Sequence, residues 1–80
     1  MTKIVAINKS VQTVYFPLDH FAFKFKETKN KYKSTLLYII SLDGRPLMYF
    51  FITDSIDVAR DMFDQFIKND RNLLCFEEDV

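Results

Sequence analysis

Residues 35–53 read TLLYIISLDGRPLMYFFIT, two apolar runs joined by Asp43-Gly44. Asp-Gly between runs of strand-forming residues is a strong hairpin signal, because a two-residue type I′ turn needs positive φ at both central positions. That turn sets a register in which Leu42 opposes Arg45, Ser41 opposes Pro46, Ile40 opposes Leu47, Ile39 opposes Met48 and Tyr38 opposes Tyr49. Pro46 fits it, since the residue after the hydrogen-bonded closing pair aims its missing N–H away from the partner strand. Both phases of the strand repeat are apolar. One face carries Leu37, Ile39, Met48, Phe50 and Ile52; the other carries Leu36, Tyr38, Ile40, Leu47, Tyr49 and Phe51. Strands written this way are normally covered on both sides.

The rest of the chain supplies little cover. Ile4–Ile7 and Val11–Phe16 read as short strands around an Asn8-Lys9-Ser10 turn, and Pro17-Leu18-Asp19-His20 breaks the pattern. Phe21, Phe23 and Phe25 alternate with Ala22, Lys24 and Lys26, giving a strand with an aromatic and a basic face. Residues 28–31 read as a polar loop leading to a strand over Tyr32–Leu42. From Thr53 the period lengthens: Ile56, Ala59, Phe63, Phe66 and Ile67 recur at three- and four-residue steps, with Met62 beside them, as on an amphipathic helix. Thr53 or Asp54 is placed to cap it, and Leu73–Glu78 reads as a last strand. The expected fold is α+β: a mostly antiparallel sheet of about four to six strands on one helix at about residues 55–69, in a single domain spanning 1–80.

A helix of about 15 residues is ~22 Å long and ~10 Å across, whereas five strands span about 24 Å. One helix therefore cannot cover even one flat face. The Tyr-free face goes to the helix, because Tyr hydroxyls want water or a partner. The Tyr face must then be curled away, folded over by the N-terminal strands, or met by another molecule.

Chemistry is sparse. His20 is the lone histidine, and Cys75 sits in the apolar context Leu73-Leu74-Cys75-Phe76, which reads as a buried, inert thiol. One His and one Cys cannot complete a four-ligand zinc site within the chain. Gly44 is the only glycine, so no Gly-rich phosphate loop exists. No enzyme activity, cofactor or metal is expected. The single cysteine excludes an internal disulfide framework, and the N-terminal residues lack a signal-peptide pattern. No apolar run approaches the ~20 residues of a membrane span. A cytoplasmic protein is expected, in the host cytoplasm if virally encoded. Accessory proteins of phages and mobile elements share this size and composition, an analogy with no motif behind it.

The net charge of zero hides a division. Residues 1–34 carry seven lysines against two acids (+5), and residues 35–80 carry four basic groups against nine acids (−5). Two candidate surfaces follow. One is a sheet face of Tyr38, Tyr49, Phe51 and Leu47 with Lys24, Lys26 and Arg45 around it. The other is an acidic helix face of Asp54, Asp57, Asp61 and Asp64. Glu77-Glu78-Asp79 reads as a solvated tail. The composition fits a non-catalytic protein-interaction module, an inhibitor or adaptor that covers a partner's surface, with self-association through the Tyr face included. The second reading is a single-strand nucleic-acid binder, in which lysines neutralise phosphates and tyrosines stack on bases. Its condition is that Lys24 and Lys26 share a face with Tyr38 and Tyr49.

Overall fold

The computed structural model describes residues 2–28 and 35–79. The polar loop and the strand start at Tyr32 expected from the sequence lie largely outside the described residues. Six strands and one helix follow in the order β1 (Ile4–Asn8), β2 (Thr13–Pro17), β3 (Phe21–Glu27), β4 (Thr35–Ser41), β5 (Pro46–Ile52), α1 (Ile56–Lys68) and β6 (Leu73–Glu77). The α+β class is as expected, but the strands divide into two sheets of three, ordered β2-β1-β6 and β3-β4-β5. β1 is antiparallel to β2 and parallel to β6, with Val5 opposite Leu74 and Ile7 opposite Phe76. The parallel pair needs a long crossover, and the whole second sheet together with α1 supplies it.

The sheets meet through their apolar faces. Val5, Ile7, Phe16, Leu74 and Phe76 from the first sheet share one core with Phe25, Leu37, Ile39, Phe50 and Ile52 from the second. Aromatic rings bridge the two layers at edge-to-face distances: Phe16 lies 5.8 Å from Phe50 and Phe25 lies 5.7 Å from Phe76. Such pairs add about 0.5–1.5 kcal/mol each beyond area burial. The helix packs against β3 and β6, burying Ala59 and Phe66 and setting Phe63 5.6 Å from Phe23. It closes a flank and leaves the broad cover to the other sheet. The N-terminal strands do fold back over the hairpin, but across its aliphatic face. The Tyr face stays outside.

Several local details correct the sequence reading. The hairpin loop has three residues: the Gly44 N–H donates to the Ser41 carbonyl at 2.9 Å, the Ser41 N–H to the Arg45 carbonyl at 2.8 Å, and Gly44 sits at φ +92°. That is a three-residue hairpin loop closed by a left-handed glycine. The register is one residue off near the turn, with Ile40 opposite Pro46, until a bulge takes up Leu47. Beyond the bulge Ile39 opposes Met48 and Tyr38 opposes Tyr49, as expected. The helix cap is Ser55, not Thr53 or Asp54: its Oγ accepts from the Val58 N–H at 3.4 Å. Ile67, counted with the apolar face, is about half exposed. Cys75 is exposed as well, because it faces outward between inward-pointing Leu74 and Phe76.

Two polar contacts tie distant segments together. Thr35, 1% exposed, donates its hydroxyl to the Asp54 carbonyl at 2.7 Å. Lys3 reaches across from the chain start to the end of α1, where its Nζ donates to the carbonyls of Phe66, Asn69 and Arg71. A cation among free C-terminal carbonyls is favoured both by hydrogen bonding and by the helix dipole.

Candidate binding face

The outer face of β3-β4-β5 is built by strand alternation. Residues facing the core on β3 are Phe21, Phe23 and Phe25, so Ala22, Lys24 and Lys26 face out. The register sets Lys24 opposite Tyr38 and Tyr38 opposite Tyr49, and sets Lys26 opposite Leu36 and Leu36 opposite Phe51. The condition set from the sequence is therefore met: lysines and tyrosines share one face. The Tyr38 and Tyr49 rings lie 6.2 Å apart and Tyr49 lies 5.9 Å from Phe51, a connected aromatic strip. Tyr49 is 59% exposed and Phe51 40%, while Tyr38, Leu36 and Ile40 are half-buried. A shallow depression beside the strip is lined by Lys24, Lys26, Tyr38, Ile40, Gly44 and Pro46.

Not every residue singled out in the sequence reaches this strip. Leu47 sits at the bulge, unpaired and about half exposed, and not opposite Ile40. Arg45 lies at the hairpin tip, where its Nε is 3.6 Å from an Asp43 carboxylate oxygen. Lys24 and Lys26 are exposed and have no ion-pair partner among the described residues.

The sequence reading missed the opposite rim. The segment after β6 continues alongside β5: the Thr53 N–H donates to the Glu77 carbonyl at 3.1 Å, the Asp79 N–H to the Phe51 carbonyl at 2.7 Å, and Glu78 pairs with Ile52. Glu78 thus forms an isolated antiparallel bridge to Ile52, and the segment is not a loose tail. Directly opposed residues point to the same side of a sheet. Ile52 points to the core, so Asp79 stands beside Phe51 on the outer face. One row then runs Lys26, Leu36, Phe51, Asp79: a cation, two apolar side chains and an anion.

The second candidate surface is less continuous than expected. Asp57, Asp61 and Asp64 are exposed on α1, with Arg60 set among them. Asp54 stands apart, ahead of the cap, its carbonyl engaged by Thr35. Asp61 lies in a cleft with Arg71, and Asp64 in one with Arg60 and Lys24. Basic groups thus interrupt the acidic stripe.

No helix is long and apolar enough to cross a membrane among the described residues. Comparison with protein-family models, curated proteins and solved structures returned no significant match.

Proposed function

We propose that this chain is a small, non-catalytic protein-interaction module that works by covering a partner's surface, with the outer face of β3-β4-β5 as its contact surface. One observation carries the reading: Tyr49 and Phe51 form an exposed aromatic strip with Tyr38 on the side of the hairpin that neither the first sheet nor the helix covers. Contiguous apolar area exposed on a folded domain often marks an interface, and exposed tyrosines in particular supply large contact area with little conformational entropy to lose. A protein of this kind inhibits or adapts by steric cover and needs no reactive group.

The test is site-specific photocrosslinking. A photoreactive phenylalanine analogue at position 49 should capture protein adducts in cells that express the chain, and the same analogue at Asp57 should not. Adducts at neither position, or equally at both, would contradict the reading.

Single-strand nucleic-acid binding has one observation in its favour, the register that sets Lys24 opposite Tyr38. The carboxylate of Asp79 on the same face and the net charge of zero weigh against it. If that reading held, affinity would fall linearly in log–log salt, with a slope set by the phosphates contacted. Absence of binding at low salt would end it.

A further inference from the structure

We infer that the free edge of β3, with the flank of α1 beside it, takes up an extended acidic segment of another protein as an added strand. This is a second surface, next to the aromatic strip and separate from it. The sheet edges are not equivalent. β5 and β6 are tied to each other by backbone bonds between residues 51–53 and 77–79. β2 offers five residues and closes on Pro17, which has no N–H for an incoming strand. β3 ends its sheet, and among the described residues no strand pairs with its far side. A strand paired on one side only presents a row of N–H and C=O groups along the other.

A groove marks that edge. It holds about 360 Å³ and is lined by Phe23, Lys24, Phe25, Arg60, Phe63 and Asp64. Successive residues of a strand point to opposite sides, so a hollow that touches Phe23, Lys24 and Phe25 together runs along the backbone edge. Its floor is aromatic: the Phe23 and Phe63 rings lie 5.6 Å apart, and both residues are only half-buried. Pairing with the edge requires an extended occupant ~4.8 Å away, since a helix has its own N–H groups engaged internally.

Charge then chooses the occupant. Directly opposed residues on one face of a sheet are close enough for opposite charges to attract and like charges to repel. Lys24 and Lys26 point to the outer face, exposed and without an ion-pair partner among the described residues. An added strand therefore gains from carboxylates at two alternate positions opposite these lysines. The residue between them drops toward Phe23, Phe25 and Phe63 and gains from being apolar. Arg60 on the helix wall adds a third cation against the one carboxylate of Asp64. A second copy of the chain does not fit this pattern. The antiparallel register that overlaps all of β3 with β3 sets Lys24 against Lys24, and the one centred on Phe25 sets Lys24 against Lys26. Lysines on an exposed edge guard against such pairing, and the same charges admit an acidic strand. Main-chain bonds supply the affinity and alternate side chains the selectivity. One strand on one edge makes a contact smaller than a standard interface, so Kd is on the order of 100 μM to 1 mM.

Nuclear magnetic resonance titration with three synthetic octapeptides tests this. One alternates valine with glutamate, one alternates valine with lysine, and one is the glutamate peptide with every backbone nitrogen methylated. The first should shift the amides of residues 23–26 and 60–64 and slow hydrogen exchange along β3. The second should bind at least tenfold more weakly, because its charges match those of the edge. The third should weaken as much, because it keeps the side chains and loses the main-chain donors. Lys24→Glu with Lys26→Glu should reverse the preference between the first two peptides, and the amide spectrum reports whether that variant is folded. If it is not, Lys24→Gln with Lys26→Gln should bring the two affinities within a few-fold of each other. No shift at a few millimolar peptide, equal binding of the methylated peptide, or shifts confined to Tyr38, Tyr49 and Phe51 would each overturn the inference. Shifts along β3 that grow with protein concentration alone would seat a second copy there and also overturn it. Oligothymidylate that moves the same amides at lower concentration than the glutamate peptide would give the edge to nucleic acid instead. Capture of protein at position 49 alongside any of these failures leaves the reading of the aromatic strip standing.

Discussion

Phe50 and Tyr49 are neighbours in sequence with opposite roles, and truncating each to alanine separates them. Phe50 is 7% exposed and its ring packs 5.8 Å from Phe16 between the two sheets. Its removal loses both transfer free energy and the packing around a cavity, about 3–5 kcal/mol for a buried Phe→Ala change. A chain of 80 residues has a total stability of only about 4–12 kcal/mol at the usual ~0.05–0.15 per residue. Phe50→Ala should therefore remove much of it. Tyr49 buries about 40% of a side chain worth roughly 200 Å², and alanine retains part of that. At ~25 cal/mol per Å² the loss is about 1–2 kcal/mol. Urea unfolding followed by circular dichroism at a few micromolar reads the difference. With a slope of about 1 kcal/mol per molar urea, Phe50→Ala lowers the midpoint by ~3 M or more and Tyr49→Ala by about 1–2 M. Equal losses, or a larger loss for Tyr49, would refute the assignment of faces.

Other outcomes follow from single contacts. Gly44→Ala should cost about 1 kcal/mol or somewhat more by thermal unfolding: nothing lies within 4 Å of the added Cβ, so the cost is that of φ +92° itself. Gly44→Asn should be milder, since Asn tolerates the left-handed region, and a neutral alanine variant would contradict the turn. Thr35→Val keeps the shape but leaves the partly buried Asp54 carbonyl without its donor. A loss of about 1–3 kcal/mol is expected, and an unchanged urea midpoint would show that water replaces the hydroxyl. Lys3→Met should destabilise the end of α1 by about 1–2 kcal/mol. Hydrogen exchange should then speed up at residues 66–69 before the rest of the helix, and uniform exchange along α1 would argue against the anchor.

Much of the fold can be read from local pattern. The alternation of Phe21, Phe23 and Phe25, the helical spacing from Ile56 to Phe66, and the Asp43-Gly44 turn each act over a few residues, and each element lies where its pattern puts it. What local pattern lacks is the choice of partner. Ile4–Asn8 pairs with Leu73–Glu77 across almost the whole chain, and nothing in either segment names the other. The division into two sheets depends on that pairing. The loop shows a finer limit. A two-residue and a three-residue loop both suit Asp-Gly, and the bulge at Leu47 restores the register, so the faces beyond it come out as expected.

The aromatic strip of the candidate face was legible in the hairpin, but its lysine border hung on the register across residues 28–31, which the sequence left open. Whether lysines and tyrosines share a side depends only on the parity of the β3–β4 register, and in the folded chain the apolar face fixes that parity by requiring Phe25 and Leu37 in the core. The acidic rim was not legible. Glu77-Glu78-Asp79 has the composition of a solvated tail, and only its backbone bonds to Phe51 and Thr53 place it on the sheet. Cys75 was misread because hydrophobic neighbours in sequence are not neighbours in space on a strand, where adjacent residues face opposite sides.

Hydroxyl-radical footprinting in dilute solution reads the uncovered face itself. In dilute solution Tyr49 and Phe51 should be modified readily, while Phe50 and Phe76 are protected. Tyr49 and Phe51 as protected as Phe50 in the dilute monomer would mean that the chain seals this face itself, and the account would be wrong.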